Sequence, residues 1–237
     1  MRTTRTVALV TLTVLTLVWV AGARPVAGKT GPYQPHIDPA EFQATVDNPY
    51  LPLVPGTTLT YIEKVGKRTS DNTITVTHDT KTIMGVTCVV VHDQLVEKGV
   101  LKEDTFDWYA QDRLGNVWYF GEATKEFLPR GRVKTEGSWE AGVDRAQPGI
   151  IMLAHPVPGE PYRQEYGPGH AEDMGQVIAV GQSVTVPYGS FADCVRTKEW
   201  SLLESGHERK WYARGVGVVR EESTAHEVVT LVSVTRL

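Results

Sequence analysis

The chain of 237 residues contains no Gly-x-Ser-x-Gly elbow, no His-Glu-x-x-His pair, no Gly-rich phosphate loop, no Cys-x-x-Cys pair and no EF-hand loop. Each absence weighs against a familiar enzyme or metal-binding class, because each motif places a nucleophile, a base or a ligand set at a fixed spacing. Basic clusters are missing too. The formal charge is −4 at pH 7, and without a Lys/Arg stripe to meet phosphates, nucleic acid is excluded as a partner. Amphipathic runs with a 3.6-residue period never exceed a few turns, and no strand–helix–strand crossover can be traced. That excludes a parallel α/β sheet. Cysteine is scarce, with Cys88 and Cys194 alone. Neither lies near the N-terminal segment, so no bacterial lipoprotein anchor is expected.

What is present begins with an address. Met1-Arg2-Thr3-Thr4-Arg5 is a basic start, Val7 to Val20 is apolar, and Ala21-Gly22-Ala23 supplies a small-x-small cleavage pattern. Residues 1–23 therefore read as a secretory signal peptide. The apolar stretch is shorter than the ~20 residues that a spanning helix needs, so no membrane span is expected after cleavage. Cleavage removes Arg2 and Arg5 and moves the net charge from −4 to −6, giving a mildly acidic protein, secreted or extracytoplasmic. Residues 24–40 are a Pro/Gly-rich arm. At its end Asp38-Pro39-Ala40-Glu41 combines an N-cap, a proline at the first helical position and a capping-box acid. This predicts a short helix of about two turns, ending before Asp47-Asn48-Pro49.

From Thr57 onward the period is two and β-branched residues dominate, as in Thr58-Leu59-Thr60-Tyr61-Ile62-Glu63. Residues 41–237 are expected to form one all-β domain of roughly ten to twelve antiparallel strands. A pattern occurs twice along it. Gly85-Val86-Thr87-Cys88-Val89 leads to Asp107-Trp108-Tyr109-Ala110, and Ser190-Phe191-Ala192-Asp193-Cys194-Val195 leads to Lys210-Trp211-Tyr212-Ala213. The fold is thus a curled antiparallel sheet, barrel or half-barrel built from two related meanders. The matched cysteines predict a Cys88–Cys194 disulfide, which would close a loop of about 100 residues and be worth up to ~4.7 kcal/mol. Two buried free thiols are the alternative. A catalytic thiol is disfavoured by the apolar Val89-Val90-Val91 run beside Cys88. Trp139 to Pro161 breaks the strand rhythm and reads either as a lid or as a connector packed on the sheet.

Three groups of residues could carry chemistry. On Glu103-Asp104-Thr105-Phe106-Asp107-Trp108-Tyr109 the alternation puts Glu103, Thr105, Asp107 and Tyr109 on one face. Phe106 and Trp108 take the other, the expected core side. The carboxylates of Glu103 and Asp107 would stand about 13 Å apart, so only a cross-strand His92 or Asp93 could complete a site, and a solvated face is the simpler expectation. A hairpin with Pro168-Gly169 at its tip would set Glu165 opposite Glu172 with His170 beside them, a mixed set that could hold a metal ion. Finally Tyr109, Trp118, Trp139, Trp211 and Tyr212 could line a ligand groove.

Val46-Asp47-Asn48-Pro49-Tyr50-Leu51-Pro52-Leu53-Val54-Pro55-Gly56, Asp107 to Asp112, Gly115 to Glu122 and Trp211 to Gly217 together carry a likeness. The chain resembles an uncharacterised family of exported bacterial β-rich proteins over most of residues 41–237. The resemblance implies export, bacterial origin and an all-β fold, and brings no activity with it. The Tyr212-Ala213-Arg214-Gly215-Val216-Gly217 stretch also resembles half-barrel envelope proteins that carry lipids or lipoproteins, in fold only. The expected function is a non-enzymatic binding protein of the cell exterior or envelope. It would hold a small apolar or amphipathic ligand, or an envelope component, with no cofactor. A metal-dependent hydrolase using the 165–173 hairpin and a structural or surface-interaction module are the alternatives.

Overall fold

A computed structural model describes residues 33–236. The segment expected to be a signal peptide and most of the Pro/Gly-rich arm lie outside the described residues. After a 3-10 turn at Pro39–Glu41 the chain enters β1 (Phe42–Gln43) and then a first meander: β2 (Thr57–Val65), β3 (Arg68–Ile83), β4 (Val86–Glu97), β5 (Val100–Asp112) and β6 (Val117–Leu128). Short pieces follow as β7 (Arg132–Lys134), β8 (Trp139–Glu140), β9 (Gln147–Met152), β10 (Tyr162–Arg163) and β11 (Glu165–Tyr166). A second meander contains β12 (Asp173–Val186), β13 (Gly189–Ser201), β14 (Glu208–Ala213), β15 (Gly217–Ser223) and β16 (Glu227–Arg236). Among the described residues no helix is long and apolar enough to cross a membrane.

The expected two-turn helix is replaced by that single 3-10 turn. Asp38 Oδ1 does accept from Ala40 N at 3.0 Å, as an N-cap should. Phe42 and Gln43 then leave the turn extended and pair with Asp112 and Gln111. Phe42 packs edge-on against Trp118 and Phe120 at 6.1 and 5.6 Å. Sheet pairing satisfies the backbone groups that further helical turns would have used, and it adds an aromatic contact that a solvent-side helix would lack.

The two meanders join through β16 and β2 on one side. On the other, β9 extends β6, β11 pairs with β9, and β10 pairs with β12. Gln164 links β10 to β11, and its N–H donates to Asp173 O at 2.9 Å. The sheet is thereby an almost closed antiparallel barrel. The approach at this seam depends on Gly149 of β9, where a Cβ would overlap the Gln164 carbonyl and stand 2.7 Å from Arg163 O. The 139–161 segment is therefore wall and connector rather than lid: β8 and β9 both pair with β6, and Met152 is fully buried.

Each long strand turns alternate side chains inward. Val76, Val89, Val91, Val195 and Tyr212 pack with one another inside the barrel, and Leu59, Tyr61, Val219, Val229 and Leu231 form a neighbouring cluster. On the first meander the opposite face is covered as well. Cys88, Val90, Trp108, Ala110 and Phe120 pack with Ala141 and Ala146 and with Ile37 and Phe42 from the N-terminal turn. One end of the barrel is filled by residues 46–56. Gln111 Oε1 accepts from both Asp47 N and Asn48 N at 3.0 and 2.8 Å, and Asn48 Nδ2 donates to Gly115 O and Leu153 O.

The expected disulfide does not form. Cys88 and Cys194 are both free and buried. Five strands separate β4 from β13 in the sheet order, and Cys88 belongs to the outer cluster while Cys194 packs beside Leu59 and Leu231. Equivalent places in two meanders of a closing sheet lie apart around the wall, beyond the ~7 Å that a bridge can span. Burial pushes the Cys88 thiol up to about 12, against a weaker pull from Lys81, and also raises Cys194.

Candidate functional site

The barrel encloses a cavity of about 290 Å³. Toward the filled end its walls are apolar, with Leu51, Leu53, Val76, Val91, Ile151 and Val218. Toward the other end, where the hairpins after β13 and β15 frame it, ionisable groups take over. Asp93, Asp107, Glu122, Glu165, Asp173, Glu199, Glu204, Glu208, Glu221 and Glu227 all line it with His207 and, among the described residues, a single lysine, Lys210. The strands themselves explain this division. Val89-Val91-Asp93 on β4, Val219-Glu221 on β15 and Leu231-Val229-Glu227 on β16 each run from apolar to acidic on one inward face.

The face of β5 that read as solvated is thus the interior one. Asp107 is 4% exposed, whereas Phe106, expected in the core, is 36% exposed and stacks on His92 at 4.2 Å. Trp108 keeps its burial only because the N-terminal turn and the segment after β6 cover the outer face. His92 therefore faces away from the cavity, paired with Asp104 at 2.7 Å, while Asp93 faces into it.

The two meanders carry related constellations. Counting from the cysteines, Asp93 corresponds to Glu199. Counting from Trp-Tyr-Ala, Asp107 corresponds to Lys210. The ladders agree, since Val91 pairs with Asp107 and Asp107 with Glu122, while Thr197 pairs with Lys210 and Lys210 with Glu221. In the second meander Lys210 Nζ lies 2.9 Å from Glu208, 3.1 Å from Glu199 and 3.6 Å from Glu221. Burial works against its charge, but the three carboxylates outweigh burial and hold its pKa well above the usual lysine range.

In the first meander the central cation is replaced by Asp107. The Tyr119 hydroxyl lies 2.6 Å from Asp107 Oδ1 and 2.9 Å from Glu122 Oε2. One phenolic proton can serve only one of these acceptors, so the other carboxyl must hold its own proton and donate to the phenol. Burial accordingly pushes Asp107 up to about 7 and raises Glu122 and Asp93 well above the carboxylate range. Asn72 Nδ2 donates to Asp93 Oδ1. Across the seam burial also raises Glu165, next to Asp173, and lifts Asp173 to about 7. Several buried polar atoms of the lining have no hydrogen-bond partner among the described residues, including Asn72 Oδ1, Gln164 Nε2, Asp173 Oδ1 and Glu227 Oε1. Such atoms ordinarily find a partner.

The sequence-expected site residues divide accordingly. Tyr109 and Tyr212 line the cavity. Trp139 packs edge-on against Tyr119 at 5.4 Å behind the wall, Trp118 donates to Asp112 Oδ2 at 2.8 Å, and Trp211 lies beneath Arg196. Of the hairpin set, Glu165 turns into the cavity, His170 is exposed at the turn, and Glu172 meets Arg163 at 3.5 Å. The structure does not bring these three together. Among the described residues no three His, Cys, Asp or Glu side chains converge as metal ligands. Glu122, Asp173, Glu199, Lys210 and Glu221 are functional candidates that the reading of motifs passed over. Their signal was parity: Asp173, Glu199 and Glu221 each sit an even number of residues from a buried, inward apolar position on their own strand, whereas a register shift on β6 breaks that spacing for Glu122.

No protein-family model matches the chain, and no curated protein matches it. Two solved structures are similar to it. One, described as a "putative exported protein with YmcC-like fold" from Bacteroides fragilis, is 16% identical with a TM-score of 0.48, over 79% of this chain and 99% of that one. The other, a "putative lipoprotein" from Parabacteroides distasonis, is 13% identical with a TM-score of 0.43, over 81% of this chain and 100% of that one.

Proposed function

We propose that the chain is an extracytoplasmic, non-enzymatic binding protein that holds one small amphipathic ligand inside the barrel. The observation that carries this reading is the cavity, apolar at its filled end and ionisable at the other, with buried polar atoms on its lining residues that lack a hydrogen-bond partner among the described residues. Ligand sites are typically concave, mostly apolar, and oriented by a few polar groups. The signal peptide read from residues 1–23 supports export.

Native mass spectrometry of protein secreted by its own host tests the reading. A single small molecule should remain bound, and it should be lost from Val218→Trp, which fills the apolar end. A wild-type protein that carries no molecule and takes up none from a host lipid extract would sink the proposal. A stoichiometric metal ion would favour a metal-dependent protein instead.

A further inference from the structure

The first-meander side of the cavity repeats the register of the second-meander lysine site with an acid in the lysine's place. In the second meander a primary ammonium, Lys210 Nζ, sits among Glu199, Glu208 and Glu221 at 2.9 to 3.6 Å. In the first meander Asp93 and Glu122 hold the register positions of Glu199 and Glu221, and the position of the lysine holds a third acid, Asp107. We propose that this side of the cavity binds the primary ammonium head of a small amphipathic amine, whose hydrocarbon part occupies the apolar end. The inference rests on the binding reading above and specifies the charge of the ligand.

Two observations favour a cation with N–H donors over other head groups. Among the described residues the one lysine of the lining is already matched by three carboxylates, so an anionic head would find no free ammonium or guanidinium to pair with. Of the buried lining atoms without a hydrogen-bond partner among the described residues, Asn72 Oδ1, Asp173 Oδ1, Glu221 Oε2 and Glu227 Oε1 are acceptors and Gln164 Nε2 is a donor, so acceptors prevail. An ammonium offers three donors in a compact group.

Isothermal titration with three probes of equal chain length, octylammonium, octan-1-ol and octanoate, separates the possibilities. Octylammonium is expected to bind one per chain, at least ten-fold more tightly than octan-1-ol, with octanoate weakest. Asp107→Asn, which conserves shape, should cost at least ten-fold in octylammonium affinity and leave octan-1-ol unchanged. Asp107→Lys installs in the first meander the ammonium of the second, and should abolish octylammonium binding while the far-UV spectrum stays that of the parent. Should that variant fail to fold, Asp107→Asn decides alone. Octan-1-ol or octanoate binding as tightly as octylammonium would overturn the ammonium site and leave the cavity reading standing. If none of the three binds, both are overturned.

Discussion

Lys210→Met removes the cavity's one ammonium among the described residues while keeping most of its apolar stem. In the parent, that ammonium lies 2.9 Å from Glu208 and 3.1 Å from Glu199, with Glu221 at 3.6 Å, and its side chain is only 12% exposed. Taking away one partner of a buried ionic cluster leaves uncompensated charge behind and costs about 3–5 kcal/mol. For a domain of this size each kcal/mol moves the melting temperature by ~2–4 °C, so a fall of roughly 6–20 °C is expected at pH 8. The deficit should depend on pH. In the parent, burial pushes Glu208 up, and Lys210 together with a hydrogen bond to Glu221 more than offsets it, leaving Glu208 below the usual range. Without Lys210 only the Glu221 hydrogen bond opposes burial, so the folded pKa is expected to rise above the ~4.3 of an unfolded glutamate. A carboxyl raised in this way favours the fold fully below its unfolded value and loses that contribution as pH climbs through its folded value. The deficit should therefore be small near pH 5 and grow toward pH 8, as read by thermal unfolding followed by circular dichroism. A variant within ~1 kcal/mol of the parent at pH 8, or a deficit equal at both pH values, would refute the account of Lys210 as the counter-ion of this half.

Other outcomes follow from single residues. Glu63 is 1% exposed, neither of its carboxyl oxygens has a hydrogen-bond partner among the described residues, and burial lifts it to about 7. Glu63→Gln should match the parent near pH 4 and exceed it at pH 8.5 by up to ~4 kcal/mol, at ~1.4 kcal/mol per pKa unit; chemical denaturation at the two pH values checks this, and equal stabilities at pH 8.5 would count against it. Thiol titration of denatured, unreduced protein should find two free thiols per chain and native protein almost none, since both cysteines are buried. Gly149→Ala should open the seam at β9 and β11, seen as faster amide exchange at Glu165 and Tyr166, because its Cβ would overlap the Gln164 carbonyl. Unchanged exchange there would show that the seam tolerates the added atom.

Alternation along each strand was readable from the residues alone, because a strand turns successive side chains to opposite faces. It correctly grouped Glu103, Thr105, Asp107 and Tyr109 on β5, and the repeated Trp-Tyr-Ala correctly announced two meanders. The register equivalence of Asp107 with Lys210 was latent in the same repeat. Alternation cannot say which face turns inward. Hydrophobicity usually decides that, but on the first meander both faces carry apolar residues, since Ala141, Ala146 and Phe42 cover Cys88, Val90 and Trp108 from outside. Only closure of the sheet assigned Phe106 to solvent and Asp107 to the cavity. Closure also carried Cys88 and Cys194 to separate parts of the wall, where equal places in a repeat do not meet. Glu165 was recognisable as a candidate beside His170 and Glu172, yet the seam turns it toward Asp173 instead. The amino-acid order thus determined the strands, their pairing partners within each meander and which side chains share a face. The inward face, the company each acid keeps and the cavity itself were decided in three dimensions, because they depend on contacts between segments that no local period encodes.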